Sequence, residues 1–408
     1  MSHTPHQQFI GKGSVHDAPW HRSETEPPVT DPHADRHPRH YIADDGLVAA
    51  VNTALLLNKP LLVTGNPGTG KSDLAERIAW ELELGPVLRF EAQSLSEAND
   101  LFYRFDLVGR LAESRLQADR QWSNSQGRHR TGSSTDDNAD ANVGDGGRTP
   151  SRPESGSTTI DPDATPEQDK IHPLHFVEFG PFGKAILRVG QGQTAPDPQR
   201  QRLLEQLRRR AFPAGEPSQP QASVVLIDEI DKASRDFPND LLNGIDRMEF
   251  RIRELDNLLI QAPDKALGLH PIVVITSNLE RDLPAPFLRR CAFYHIPDPT
   301  PERLAHIVRV RVFPDRADLP PDQLPPFYRE LLDFFVEFRN DHQDRHVYPP
   351  GTTEIIEASR ALSHSGVDEN AGLKANLDFV RRSVSAIAKH REDLERLHAA
   401  LNAEQQPA

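Results

Sequence analysis

A glycine-rich stretch with one lysine carries the clearest chemistry in this sequence. Residues 65–72 fit the pattern G-x-x-x-x-G-K-[ST]. Glycines let the backbone turn its N–H groups inward and approach phosphate oxygens closely. A lysine at this position can reach the β- and γ-phosphates of a nucleotide, and the serine can ligate Mg²⁺. We therefore predict a nucleotide-binding loop formed by Gly65, Asn66, Pro67, Gly68, Thr69, Gly70, Lys71 and Ser72.

The residues on either side of this loop predict the elements that hold it. Residues 61–64 are a short apolar run, which is typical of a buried strand. From residue 71 to 84, leucine and isoleucine recur at every fourth position, which predicts an amphipathic helix. The N-terminus of that helix adds partial positive charge where phosphates would bind. The alternative, a glycine-rich turn that matches the pattern by chance, explains neither flank.

An acidic pair follows a second apolar run further along the chain. Residues 224–227 are apolar and lead directly into Asp228 and Glu229. A strand of this kind would place Asp228 beside the loop, where its carboxylate can hold Mg²⁺. Glu229 can orient or deprotonate an attacking water molecule. The alternative is a strand that ends in a solvated acidic turn.

Two more stretches place polar groups after predicted strands. Residues 272–276 predict another buried strand, and Asn278 at its tip can hydrogen-bond the water or the γ-phosphate; alone, it would more often form a turn. Residues 287–291 contain Arg289 and Arg290. An arginine stabilises the charge that spreads over a transferring phosphoryl group, often from a neighbouring subunit. Two surface arginines near a helix end are the alternative.

Length and composition limit the classes of protein to consider. The chain has 408 residues, which suggests two or more parts. The net charge of −14 argues against a general nucleic-acid binder. Cys291 is the only cysteine, so no intrachain disulfide can form, which fits a reducing, cytoplasmic environment. We see no signal peptide, and the apolar runs are too short to span a bilayer.

Strands that alternate with helical patterns predict an α/β fold with a parallel sheet in residues 41–300. Residues 301–400 carry only helical patterns and predict an all-helical domain, followed by a short tail at 401–408. Residues 1–40 are rich in histidine and proline, and residues 121–170 hold few large apolar side chains, so we expect both to be disordered. The histidines of the tail could bind metal, but their spacing fits no metal template.

Three local patterns also give expectations. Residues 100–116 predict a helix, and residues 175–187 predict two short strands around the Gly180-Pro181 turn. Residues 377–401 predict one long helix.

The four motifs, in this order, resemble those of the AAA+ ATPases and, among them, the MoxR family. The resemblance covers residues 41–397 apart from the insertion at 121–170. Residues 65–72 match Walker A, Asp228-Glu229 match Walker B, and residues 276–278 match sensor 1. Residues 288–291 match the arginine-finger stretch, with Arg290 at the finger position and Arg289 beside it. Residues 100–103 and 179–181 are similar to the segments that flank the helix-2 insert of this family, and residues 248–256 to its hairpin before sensor 1.

This resemblance implies a P-loop AAA+ core with a C-terminal helical lid. It also implies a homo-oligomeric ring, usually a hexamer, that binds ATP with Mg²⁺ at subunit interfaces. A chaperone-like remodelling role, commonly beside a partner with a von Willebrand A domain, would follow. Two features depart from the family pattern. The insertion at 121–170 is one, and the other is the lack of a basic residue at the expected sensor 2 position, for which Arg360, Arg381 and Arg382 are candidates.

Three functional hypotheses fit these observations. The first is an ATP-hydrolysing remodelling motor or chaperone. The second is a nucleic-acid-directed P-loop NTPase, such as a helicase loader or a restriction-type subunit, which the acidic composition and the absence of an aromatic and basic stripe disfavour. The third is a nucleotide switch that barely turns over, which Glu229 disfavours because a pure switch does not need that carboxylate.

Overall fold

The computed structural model describes residues 9–12, 37–129, 172–190, 197–212, 221–262, 270–313, 324–341 and 346–405. These residues belong to two compact units. The first comprises the described parts of Met1–Ser96, Ala222–Leu242 and His270–Ala408, and the second those of Glu97–Gln221 and Asn243–Leu269. Most of the predicted tail (residues 1–8 and 13–36) and of the predicted insertion (130–170) lies outside the described residues. The domain boundaries predicted at residues 300 and 400 remain predictions.

The strands of the described residues are β1 (Leu61–Thr64), β2 (Leu88–Glu91), β3 (Tyr103–Phe105), β4 (Val177–Phe179), β5 (Val224–Asp228), β6 (Glu249–Ile252), β7 (Leu258–Gln261), β8 (Ile272–Ser277) and β9 (Ala292–His295). The helices are α1 (Asp45–Leu57), α2 (Lys71–Glu81), α3 (Leu107–His129), α4 (Pro181–Val189), α5 (Pro198–Ala211), α6 (Phe237–Arg247), α7 (Ala285–Leu288), α8 (Pro301–Val312), α9 (Pro326–Asp341), α10 (Thr352–Ser363), α11 (Leu377–Ile387) and α12 (Arg391–Ala403).

A five-stranded parallel sheet in the first unit confirms the predicted α/β class. Its strand order is β2-β5-β8-β1-β9. All four pairings are parallel, with Thr64 opposite Ser277 and Ile227 opposite Ile275. Every residue of β1 is buried, as expected for a strand covered on both faces. Because β8 lies between β1 and β5, the segments that follow these three strands lie side by side at one edge of the sheet.

Two helices flank the strand that precedes the glycine-rich loop. Asp44 caps α1 by accepting a hydrogen bond from the N–H of Leu47 at 2.7 Å, which satisfies one free donor of the first turn. The helix ends at Leu57. The next residue, Asn58, is left-handed and so stops the helix shortly before β1 begins. α2 begins at Lys71, so the last two residues of the loop motif form its first turn. Apolar side chains of both helices share one core with the sheet, among them Leu47, Val51, Leu74 and Ile78.

The C-terminal helices α8–α12 have a hydrophobic core of their own. Its fully buried members include Phe327, Leu331, Ile355 and Leu397. The single helix predicted over residues 377–401 is wrong, because α11 ends at Ile387 and α12 starts at Arg391. The break forms at Ala388, which is extended, and at His390, whose side chain accepts a hydrogen bond from the N–H of Glu392. A local cap of this kind outweighs a continuous apolar pattern.

Two antiparallel strand pairs belong to the second unit. β3 pairs with β4, and β6 pairs with β7 as a hairpin. The helix predicted over residues 100–116 is therefore wrong at its start, since Tyr103–Phe105 is a strand and α3 begins at Leu107. The second strand predicted after Gly180 is wrong as well, because Pro181–Val189 is a helix. Pro181 occupies its first turn, where a proline fits, and Phe182, Ile186 and Val189 are buried at helical spacing.

Short parts of the regions predicted as disordered are built into these units. Phe9 is buried in the core of the first unit, and Pro38–His40 forms a 3₁₀ turn against α2. In the second unit, α3 continues to His129, nine residues into the predicted insertion. Composition alone did not identify Phe9 and Pro38–His40 as ordered, because their partners lie elsewhere in the chain.

Among the described helices, none has the length and apolar character needed to span a bilayer.

A buried carboxylate in the C-terminal helices leads to a stability prediction. Asp393 is 1% exposed and accepts hydrogen bonds from the N–H groups of Val347 and Tyr348 at 3.2 and 2.8 Å. Its Oδ1 also lies 3.1 Å from His346 Nδ1. We expect Asp393→Ala to lower the free energy of unfolding by roughly 2–6 kcal/mol, because the two backbone N–H groups lose a buried acceptor, at about 1–3 kcal/mol each. Urea unfolding followed by circular dichroism measures this change.

Glu395→Ala is the matched control, since Glu395 pairs with Arg391 on the surface and should contribute at most about 1 kcal/mol. The effect of Asp393 should also depend on pH. Burial alone would raise the pKa of Asp393, but the hydrogen bonds from Tyr348, His346 and Val347 outweigh it and hold the pKa below its ordinary value. Its contribution is therefore present above about pH 4 and lost as the pH falls further. Equal unfolding free energies for both variants would contradict this role.

Candidate functional site

One cavity of about 400 Å³ in the first unit collects most of the predicted site residues. The glycine-rich loop and the start of α2 form its floor. The ends of β5 and β8 contribute Asp228, Glu229, Thr276 and Asn278, and α8 and α10 contribute further side chains. Residues separated by more than 200 positions in the sequence therefore face one volume.

The glycine-rich loop adopts a backbone conformation that requires its glycines. Gly65, Gly68 and Gly70 have φ angles of +150°, +79° and +82°. A Cβ atom on Gly65 would lie 2.8 Å from the carbonyl oxygen of Ile296, and one on Gly68 would lie 2.9 Å from Thr353 Oγ1. The same Thr353 hydroxyl donates a hydrogen bond to the Gly68 carbonyl at 3.2 Å. The loop is thus held between the sheet and the N-terminus of α10.

Lys71 lies at the inner side of this loop. Its Nζ donates to the carbonyl oxygens of Gly65 and Asn66, both at 2.9 Å. Burial lowers the pKa of Lys71, and the nearby carboxylates of Asp228, Asp231 and Glu229 act in the opposite direction. An ammonium group that donates to neutral backbone carbonyls is well suited to pair with an anion.

Ser72 and Asp228 are in direct contact. Ser72 Oγ donates to both carboxylate oxygens of Asp228, at 2.8 and 2.9 Å. The hydroxyl of Thr276, from the neighbouring strand β8, donates a short hydrogen bond to Asp228 Oδ1. A serine hydroxyl and a carboxylate at this distance are oxygen ligands of the kind that Mg²⁺ uses, with substrate phosphates and water completing its shell.

Glu229 adopts an unusual backbone conformation and makes two side-chain contacts. Its φ angle is +55°, and its N–H donates to Thr276 Oγ1 at 2.9 Å. Asn278 Nδ2 donates to Glu229 Oε1 at 3.3 Å, which brings these two predicted residues together. Lys232 Nζ pairs with Glu229 Oε2 at 2.6 Å. A left-handed conformation outside glycine costs energy and is enriched at functional sites.

Two arginines in the wall of the cavity were not predicted from the sequence. Arg303 and Arg311 lie on one face of α8 and pair with Asp44 and Asp73, each at 2.7 Å. Burial alone would raise the pKa of Asp44, but hydrogen bonds from Tyr294, Arg303 and the Leu47 N–H outweigh it and lower the pKa. The eight-residue spacing of the arginines was visible in the sequence. Their acidic partners, more than 230 residues away, were not.

The remaining predicted arginines are distributed differently. Of the three sensor 2 candidates, Arg360 on α10 lines the cavity. Arg381 contacts Asp378, Asn402 and Gln405, and Arg382 lies over the ring of Phe379; neither lines the cavity. Arg289 and Arg290 follow α7, are exposed and do not line the cavity either. The structure therefore brings together every predicted site residue except Arg290 within one site, if Gly65 and Asn66, whose carbonyls accept from Lys71, are counted with their loop.

Comparison of the sequence with models of protein families and with curated proteins finds no match.

Proposed function

We propose that this chain is an ATP-binding and ATP-hydrolysing AAA+ ATPase, similar to the MoxR family. The observation that carries the proposal is the convergence of the glycine-rich loop, Lys71, Ser72, Asp228, Glu229 and Asn278 on one cavity. These residue types in this arrangement suit a nucleoside triphosphate: backbone N–H groups and an ammonium for phosphates, oxygen ligands for a metal, and a carboxylate with an amide for water.

The residues around Asp228 fit a magnesium ion. Ser72 and Asp228 would hold it, and it would neutralise charge that develops on the phosphate oxygens. Thr276 donates to Asp228 and so orients the carboxylate from the neighbouring strand. An outer partner of this kind fixes the geometry of a metal ligand.

Glu229 is the candidate general base of hydrolysis. Its carboxylate would accept a proton from the attacking water, and Asn278 would hold that water or the carboxylate through its amide. Lys232 forms an ion pair with the same carboxylate in the structure. This ammonium therefore competes with an attacking water molecule for the lone pairs of the Glu229 carboxylate.

The proposal also assigns roles to two arginines, one in the wall of the cavity and one outside it. Arg360 is the candidate sensor 2 residue, because it lies on the helix whose N-terminus contacts Gly68. Arg290 would act from a neighbouring subunit of a ring. A homo-oligomer, a von Willebrand A domain partner, an unidentified protein client and a cytoplasmic location complete the proposal and rest on the resemblance alone.

A direct experiment measures steady-state phosphate release from ATP with the purified full-length chain, with and without DNA or RNA. Turnover that nucleic acid leaves unchanged supports a remodelling ATPase. Turnover that requires nucleic acid supports the alternative, a nucleic-acid-directed NTPase. Stoichiometric binding with negligible turnover supports a nucleotide switch, and failure to bind any nucleotide overturns the proposal.

Lys71→Ala should weaken the affinity for Mg²⁺-ATP by roughly 100-fold, because each hydrogen bond from a charged donor to phosphate is worth about 1.5–3 kcal/mol. Isothermal titration calorimetry measures the dissociation constant. Lys59→Ala is the control, since Lys59 is exposed, precedes β1 and does not line the cavity. Parental affinity in the Lys71 variant would remove this lysine from the site.

A further inference from the structure

Residues 9–12, here called the N-terminal segment, contact α1 and α2 through backbone hydrogen bonds and one buried side chain. The side chain of Phe9 is 2% exposed and joins the core that contains Leu47 and Ile78. Asn52 of α1 contacts the backbone of Phe9 in both directions. Its Oδ1 accepts from the Phe9 N–H at 3.1 Å, and its Nδ2 donates to the Phe9 carbonyl at 2.9 Å.

A buried ion pair of α2 holds the other end of the segment. Glu81 accepts hydrogen bonds from the N–H groups of Ile10 and Gly11. Arg77 pairs with Glu81 at 2.8 Å and donates to the carbonyl of Lys12 at 2.9 Å. The side chains of Arg77 and Glu81 are 0% and 1% exposed. The segment thus supplies donors and an acceptor that a buried pair needs, since buried charges are costly when their remaining hydrogen bonds are unmet.

The fit at Gly11 selects the residue type. Gly11 has a φ of +74°, and a Cβ atom there would lie 2.6 Å from Ala43 Cβ and 2.9 Å from Val48 Cγ2. Its carbonyl also accepts a hydrogen bond from the N–H of Ala43 at 2.8 Å. An aromatic residue followed two positions later by glycine is therefore the pattern that this surface accepts. Lys12, by contrast, contributes its carbonyl while the residue itself is exposed.

We propose that the surface formed by Asn52, Arg77 and Glu81, here called the α1–α2 groove, is a peptide-binding site for the chain's own N-terminal segment. Occupancy of the groove positions α2 and thereby raises the affinity of the cavity for nucleotide. The second statement rests on the proposed function, whereas the first does not.

Two connections link the α1–α2 groove to the cavity. α2 begins with Lys71 and Ser72, so a shift of this helix moves both. Arg77 also donates to the carbonyls of Pro38 and Arg39, at 3.4 and 3.3 Å. These residues directly precede His40 and Tyr41, which line the cavity. Loss of the segment removes two donors from Glu81 and one acceptor from Arg77. The position of α2 and the contacts of Arg77 with Pro38 and Arg39 then become less fixed.

A fluorescein-labelled peptide with the sequence of residues 5–14 tests the docking site. Two full-length variants serve as receptors. One carries Gly11→Ala, so that its own N-terminal segment cannot occupy the α1–α2 groove, and the other carries Phe9→Ala. Fluorescence anisotropy should show binding to both variants and at least about tenfold weaker binding to the unaltered chain, where the segment competes. Equal binding to all three would overturn the site.

Altered peptides test the recognition pattern. Phe9→Ala in the peptide should weaken binding on the order of 10- to 100-fold, because it removes one fully buried aromatic side chain. Lys12→Ala should leave binding unchanged, since only the backbone of this residue makes a contact. A peptide that tolerates Phe9→Ala would overturn the proposal.

Hydrogen exchange keeps the proposal testable if both receptor variants fail to fold. In the unaltered chain, the amides of Ile10 and Gly11 should be protected together with those of α2. Exchange at the rate of an unstructured peptide would overturn the docking. In the receptors, added peptide should slow the exchange of α2 amides without any nucleotide present, and an unchanged rate would overturn the link to α2.

Nucleotide titrations test the coupling. With saturating peptide, a slowly hydrolysed ATP analogue should bind the Gly11→Ala chain at least about fivefold more tightly, and the analogue should strengthen peptide binding by the same factor. Identical affinities overturn the coupling. If the peptide binds and slows exchange in α2 while no nucleotide binds any form, the proposed function fails and the groove stands.

Discussion

Glu229→Gln is expected to lower the turnover of ATP by about 10²- to 10⁴-fold while ATP binding persists. The amide keeps the shape of the side chain and can still contact Asn278, but it cannot accept a proton from water, and general base catalysis typically contributes this factor. Phosphate release under saturating ATP measures turnover, and calorimetry measures binding.

Glu280→Gln is the matched control for this change. Glu280 follows β8, the strand next to the one that Glu229 follows, and it carries the same charge. It is exposed and does not line the cavity. We expect its turnover to stay within about twofold of the parent, because exposed charges act weakly through water. Parental turnover in the Glu229 variant would show that another group accepts the proton.

Arg290→Ala is expected to lower turnover by about 10³- to 10⁵-fold, the range seen where an arginine is supplied in trans to a phosphoryl group. The cavity contains Lys71 and the wall cations Arg303, Arg311 and Arg360, but Arg290 is exposed and lies outside it. If Arg290 acts from a neighbouring subunit, nucleotide binding should survive its loss. Activity per subunit should also rise with protein concentration until rings form.

A mixing experiment distinguishes a shared site from a self-contained one. Subunits with Arg290→Ala and subunits with Glu229→Gln should recover activity together, because some interfaces then pair an intact carboxylate with an intact arginine. Arg289→Ala, measured alone, serves as the neighbouring control. If subunits are shown to mix and no activity returns, the site is not shared.

Motifs whose structure depends on nearby residues were predictable from the sequence. β1 and β8 were expected from apolar runs, since a parallel strand buried on both faces lacks alternation. The cap of α1 at Asp44 also has a local signal, because an acidic residue directly precedes an apolar pattern of helical spacing. The loop at residues 65–72, with its three left-handed glycines, was expected from its own residue pattern and from the apolar strand and the helical pattern on either side of it.

Features that depend on distant partners could not be predicted in this way. Tyr103–Phe105 is a strand because it pairs with Val177–Phe179, and nothing near residue 103 indicates that pairing. Phe9 was assigned to a disordered tail because its neighbours in the sequence are polar, yet its side chain joins a core with residues of helices that lie about 40 to 70 positions later. The ion pair of Lys232 with Glu229 was also missed, although only three residues separate them, because the sequence does not show where a flexible side chain will turn.

The strand order of the central sheet has a consequence for the synthesis of the chain. β1 pairs with β8 and β9, and it pairs with neither β2 nor β3, the two strands that follow it in the chain. Its partners leave the ribosome roughly 200 residues later, which takes roughly 10–40 s at about 5–20 residues per second. Through that interval an apolar strand has both edges unpaired, a state prone to aggregation. Nascent chains that stop before residue 272 should therefore bind holdase chaperones, and chains in which residue 296 has left the ribosome should release them.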